Sequence, residues 1–122
     1  MSKFKASSFS ESFLYAIRGL KLAFNSQRNF VIEVFIAFFV VLASVLLRFS
    51  FTDICILLIM CAIVLLTELF NSVIEFVLDA VYKNSYSKIV EMAKDMSAGM
   101  VLFASLTSVI VGILIFASNL MK

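Results

Sequence analysis

Glu68, Asn71, Glu75 and Asp79 stand at offsets of 0, 3, 7 and 11 within one stretch of sequence. At about 100° per residue of an α-helix, these offsets bring all four side chains within an arc of roughly 80°. Three carboxylates and a carboxamide on one stripe form a set of acid/base groups and hard oxygen donors. Such a set can take a proton from an alcohol or hold Mg²⁺ beside a phosphate. Histidine is absent from the chain, which excludes His-ligated metals and imidazole acid/base steps. Catalysis would have to use carboxylates, Lys, Tyr or hydroxyls.

The stripe directly follows an uninterrupted apolar run over residues 54–66. Glu68 lies about 21 Å along a helix from Ile54 at 1.5 Å per residue, which puts it just inside the boundary of a hydrocarbon core about 30 Å thick. An ionisable residue at the centre of a membrane helix costs on the order of 2.5 to 3.5 kcal/mol, and less toward the interface, so a carboxylate stripe there reads as functional by default. Glu75 and Asp79 lie further along, in reach of water. A half-buried carboxylate would meet a lipid hydroxyl, and the solvent-facing ones a soluble anion with its metal. Lys94 adds a cation for phosphate. The competing reading of the stripe is a salt-bridged interface with Lys94 and a basic N-terminal helix.

Composition supports the membrane setting. Of 122 residues 63% are hydrophobic, with 14 Phe and neither Pro nor Trp, outside the range of ordinary soluble domains. A crossing takes roughly 20 apolar residues, so three crossings nearly exhaust one domain spanning residues 1–122. They are expected at about 30–48, 53–82 and 92–121. The last contains the small residues Ser97, Gly99, Ser105, Ser108 and Gly112, of the sort that let membrane helices approach closely. Before them, Phe9, Phe13, Ala16, Leu20, Ala23 and Phe24 recur at three- and four-residue spacing, with Glu11, Arg18, Lys21 and Gln27 on other faces. This predicts an amphipathic helix over about 8–26 lying on the membrane surface, with Ser8 or Ser10 as N-cap. No small-residue cleavage pattern adjoins the first apolar run, so this N-terminus reads as retained. Cys55 and Cys61, six apart on different helical faces, read as packing residues. The fold class is therefore all-α membrane protein: three transmembrane helices and a surface helix.

Orientation follows from the basic residues. Lys3, Lys5, Arg18, Lys21 and Arg28 precede the first crossing, and Lys83, Lys88 and Lys94 follow the second, whereas the loop between them has Arg48 alone. The N-terminus and the second loop are expected in the cytoplasm. Glu33, Glu68, Glu75, Asp79, Glu91 and Asp95 then all fall toward one membrane face.

The segment Glu68-Leu69-Phe70-Asn71-Ser72-Val73-Ile74-Glu75-Phe76-Val77-Leu78-Asp79 resembles the signature E-x-x-N-[ST]-x-[IV]-E-x-x-x-D of the bacterial integral membrane diacylglycerol and undecaprenol kinases. Ala93-Lys94-Asp95-Met96-Ser97-Ala98-Gly99 is similar to that family's second block, and Gly19-Leu20 and Arg28-Asn29-Phe30 to its N-terminal region. The resemblance covers almost the whole chain. It implies a homotrimer in the bacterial plasma membrane, with active sites between subunits, that transfers the γ-phosphate of ATP to a lipid hydroxyl of diacylglycerol or undecaprenol. By resemblance Glu68 is the general base and Glu75 a ligand of the Mg²⁺ that carries ATP. Asn71 and Glu33 organise the site, as do Asp79, Lys94 and Asp95 on the nucleotide side. Tyr15 and the turn Ser85-Tyr86-Ser87 match positions near the nucleotide. Gln27 stands where the family often has a second metal-binding Glu, and its neutral oxygen would bind the metal more weakly. The turn at Ser85 also departs from the family wording, and Ser8 stands where some members have Arg. No P-loop or Gly-rich kinase loop is present, because Gly19, Gly99 and Gly112 stand alone.

Two rival classes remain at this point. A small oligomeric transporter or ion-conducting subunit would line a pore with Glu33, Glu68 and Asn71, but it would need polar residues through the depth of a span, and residues 34–47 and 54–66 are almost wholly apolar. A scaffold protein would leave the one-sided carboxylates without a purpose.

Overall fold

The protein is described by a computed structural model covering residues 7–83 and 85–122; Lys3 and Lys5 lie outside the described residues. Four helices follow one another: α1 (Phe9–Ser26), α2 (Arg28–Leu46), α3 (Phe51–Tyr82) and α4 (Lys88–Leu120).

Local chemistry sets each boundary. Ser8, in an extended conformation, accepts a hydrogen bond from the Glu11 backbone N–H at 3.3 Å and caps α1, satisfying one of the donors a helix leaves free at its start. Hydrogen bonds from the Ser7 side chain and backbone hold the Glu11 carboxyl below its usual value, in the first turn where a negative charge complements the helix dipole. Gln27, with φ −111° and ψ 100°, breaks the chain between α1 and α2 in one residue. Arg48, at φ 61°, and Lys83, at φ 51°, take the left-handed conformation that ends a helix. Ser50 then caps α3 by accepting from Asp53 N–H at 3.2 Å.

The helices α2, α3 and α4 are each long and apolar enough to cross a membrane, with mean hydropathy 2.5. At 32 residues α3 is about 48 Å long, well beyond a core of about 30 Å, so its last turns carry Glu75 and Asp79 out of the hydrocarbon. Helix α4 begins at Lys88, four residues before the apolar pattern does. Its polar first turn is stabilised by a Lys88 Nζ–Glu91 Oε1 pair at 2.9 Å and by Tyr86 donating to Glu91 at 3.2 Å, contacts invisible to hydropathy.

Packing runs in chain order, α1 on α2, α2 on α3 and, most extensively, α3 on α4. At the end opposite the carboxylates, Asn119 donates to Asp53 at 2.9 Å, and Phe49 meets Phe116 edge to face at 4.8 Å between centroids. The glycines have open space around them within the chain. A Cβ placed on Gly99 or Gly112 would meet nothing within 4 Å, so neither marks a close helix approach within this chain. Ser97 is the buried small residue of α4. Large apolar side chains such as Phe35, Phe39, Leu58, Ile110 and Ile113 are more than half exposed, a surface suited to lipid or a neighbouring subunit rather than water.

Candidate functional site

Because α3 continues without a break from the apolar run into its polar end, burial falls along one stripe. Glu68 is 6% exposed, Asn71 is half-buried and Glu75 is open to solvent. Helix rise separates Glu68 from Glu75 by about 10 Å and from Asp79 by about 16 Å. Asn71 Nδ2 donates to Glu75 Oε1 at 3.2 Å, and Ser72 donates to the Glu68 backbone carbonyl at 3.1 Å.

Helix α2 completes this first cluster. Glu33 lies near enough to Glu68, and Glu75 likewise, for their carboxylates to repel one another. Three buried oxygens have no partner among the described residues: Glu33 Oε2, Asn71 Oδ1 and Ser97 Oγ. A buried polar atom left unpaired costs roughly 1–3 kcal/mol.

A second cluster lies nearer the polar end. Lys94 Nζ pairs with Asp79 Oδ1 at 2.7 Å, joining α4 to α3, with both side chains about two-fifths exposed. Exposed pairs contribute only about 0–1 kcal/mol, so the pair orders the surface more than it stabilises the fold. It borders a cleft of about 310 Å³ whose lining includes Asp79, Tyr82, Ser85, Tyr86, Ser87 and Lys94. Ser85 turns its hydroxyl onto the Tyr82 carbonyl.

The structure thus sorts the residues singled out by sequence. Glu33, Glu68, Asn71 and Glu75 come together, and Asp79, Ser85, Tyr86, Ser87 and Lys94 come together. Tyr15, Gln27 and Asp95 line neither group. The Tyr15 ring lies 5.5 Å from the Arg18 guanidinium, Gln27 Nε2 is 3.5 Å from Ser26 Oγ, and Asp95 is exposed. Sequence reasoning missed Tyr82, which the cleft gathers from the last turn of α3.

No group of three or more carboxylates or thiols able to enclose a metal occurs among the described residues. That donor set disfavours a dedicated protein cage but fits Mg²⁺, which uses one or two carboxylates and completes its shell with phosphates and waters. Glu75, exposed and accepting a hydrogen bond from Asn71 at 3.2 Å, is a carboxylate of the kind such a site would use.

Over this same stretch, residues 14–116 match the prokaryotic diacylglycerol kinase family. The chain belongs to that family. The matched segment contains both clusters together with Tyr15, Gln27 and Asp95. Among similar proteins, a diacylglycerol kinase of Synechocystis sp. (strain ATCC 27184 / PCC 6803 / Kazusa) is 39% identical over 101 residues, covering 83% of this chain and 58% of that protein. The undecaprenol kinase of Bacillus subtilis (strain 168) is 30% identical over 112 residues, covering 92% of this chain and 90% of its own length. The chain therefore spans little more than half of one family member and nearly all of another. The two relatives' names point to different lipid alcohols.

Proposed function

We propose that the protein is an ATP-dependent lipid kinase that transfers a phosphoryl group to the hydroxyl of diacylglycerol or undecaprenol at the cytoplasmic membrane face. The observation that carries this reading is the graded stripe on α3. A buried carboxylate ends the apolar span, and one neighbouring face leads to an exposed carboxylate and then to a polar cleft with a lysine.

In this reading the lipid keeps its tail in the hydrocarbon and presents its hydroxyl to Glu68. The carboxylate takes the proton as the lipid oxygen forms its bond to the γ-phosphorus, and the bond from that phosphorus to the bridging oxygen breaks to release ADP. Lys94, drawn from Asp79, supplies positive charge to the phosphates, while Ser85, Tyr86, Ser87 and Tyr82 form the cleft in which the nucleotide lies. Glu75 would hold the Mg²⁺ that travels with ATP, with Gln27 as a weak second contact, and the metal would neutralise phosphate charge. Phosphoryl transfer depends mainly on such positioning and charge compensation. Glu33 and Asn71 set the arrangement around the base. Tyr15 and Asp95 belong to the nucleotide side of this assignment, and reach it through a neighbouring subunit.

The assembly is part of the proposal. A homotrimer would cover the exposed apolar faces of the three spans and bring partners to the unpaired oxygens of Glu33, Asn71 and Ser97. The single domain over residues 1–122 then has α1 as a surface helix, with Phe9, Phe13 and Leu20 exposed beside Arg18 and Lys21. Such a helix places its apolar side in the headgroup boundary.

The functional test is a side-by-side assay of purified protein with Mg²⁺-ATP and either diacylglycerol or undecaprenol. Phosphorylated lipid in at least one arm is the expected result. Transfer to neither acceptor by folded, membrane-inserted protein overturns the reading.

The topology has its own test. In a cysteine-free variant, cysteines placed at Ser7 and Asn84 are expected to escape an impermeant thiol reagent in intact cells, while one at Ser50 reacts. The opposite labelling would move the carboxylates to the wrong face for ATP and remove the site with them.

A further inference from the structure

Glu33 sits in the second turn of α2, and its carboxyl oxygen Oε2 is buried without a partner among the described residues. The same side chain borders a small cavity of about 60 Å³ where three helices meet. The cavity is lined by Glu33, Ile36 and Ala37 of α2, Cys61 and Val64 of α3, and Ser108 of α4. Val64 and Cys61 stand about one and two turns before Glu68, so this wall lies roughly 6 to 10 Å further along α3 into the apolar span. Polar groups at such depth are costly unless a protein group or enclosed water satisfies them.

The lining supplies what a buried water needs. Such a molecule takes roughly 10–15 Å³ of space and makes about two to four hydrogen bonds to polar groups, whereas a purely apolar cavity stays dry. Here the carboxyl of Glu33 and the hydroxyl of Ser108, which can both donate and accept, border one space, with the weaker thiol of Cys61 between them. We propose that the cavity is a binding site for ordered water, in which at least one molecule bridges the Glu33 carboxyl to the Ser108 hydroxyl. Homotrimer assembly is one source of a partner for Glu33 Oε2, and this water is another, held within a single subunit. It makes Ser108, a half-buried residue of α4, a positioning residue for Glu33. That role rests on the lipid kinase reading; the water site itself does not.

Solid-state NMR of the ¹³C-labelled protein in bilayers, with magnetisation transferred from water, tests the site without turnover. The side chains of Ser108 and Glu33 are expected to receive the transfer, and those of Ile110 and Ile113, more than half exposed on the apolar surface of the same helix as Ser108, are not. Glu33→Leu, which removes the carboxyl, is expected to abolish the transfer to Ser108, and Glu33→Gln, which keeps a hydrogen-bonding oxygen, to retain it. A Ser108 as dry as Ile110 in the unaltered protein overturns the proposal. So does transfer that persists in Glu33→Leu, because that water would not be held by Glu33. For the positioning role, Ser108→Ala is expected to lower kcat about threefold to tenfold, the scale of one neutral hydrogen bond, with KM for Mg²⁺-ATP unchanged, and Ser108→Thr, which keeps the hydroxyl, to recover part of the loss. An unchanged kcat in Ser108→Ala overturns that role. Water at Ser108 in a protein that phosphorylates no lipid would refute the kinase reading and leave the water site intact.

Discussion

Glu68→Gln is expected to lose about 10²-fold or more in kcat, the usual scale of general base catalysis. The substitution keeps shape and hydrogen-bonding capacity but cannot take up the proton of the acceptor. The residue is 6% exposed and sits on the far side of Asn71 from the solvent-exposed Glu75, so its loss should leave nucleotide binding nearly untouched. The measurement is a pair of titrations, one in lipid and one in Mg²⁺-ATP, with assembly checked in parallel. A fall in kcat with an unchanged KM for Mg²⁺-ATP marks an interaction made only on the way to the transition state. A variant that binds Mg²⁺-ATP far more weakly, yet turns over normally at saturation, would place Glu68 in the nucleotide site and refute the division of labour.

Glu75→Gln carries the second large effect and should bring turnover to background. Glu75 is the exposed carboxylate of the stripe, and a neutral amide in its place is a much poorer ligand for a hard dication. Gln27→Glu should act in the opposite direction, lowering the Mg²⁺-ATP concentration needed for half-maximal rate, because it restores a charged oxygen ligand where this chain has a neutral one. Rates measured across a Mg²⁺ series at fixed ATP check both. Near-normal activity of Glu75→Gln at ordinary Mg²⁺ would remove the metal from this residue. The two variants are informative together, since an effect at Glu75 without a response at Gln27 would mean that the junction of α1 and α2 lies too far from the metal to serve it.

The spans were readable in the sequence because a hydrocarbon core imposes a length and a composition that the segments 30–48, 53–82 and 92–121, built around uncharged apolar runs, satisfy. Helical periodicity was enough to align Glu68, Asn71, Glu75 and Asp79, since all four lie on one unbroken helix. The polar first turn of α4 escaped because hydropathy is blind to the Lys88–Glu91 pair that stabilises it. Gly99 and Gly112 meet no close neighbour within this chain, because a small residue permits contact without requiring it, and only packing shows whether a neighbour is there.

By itself, then, the sequence determined what depends on one helix or on composition: the membrane class, the three candidate spans and the carboxylate stripe on one helix face; the motif blocks gave the resemblance to the family. Tertiary structure decided what depends on which helices meet. It paired Asp79 with Lys94, fifteen residues away, gathered the turn at Ser85 into a cleft with them, and set Glu33 of α2 near Glu68 of α3. The separation has a physical cause. Side-chain direction within a helix follows from residue number through the 3.6-residue repeat, whereas the rotation of one apolar helix against another is set by side-chain packing across the whole interface, and no single residue encodes it.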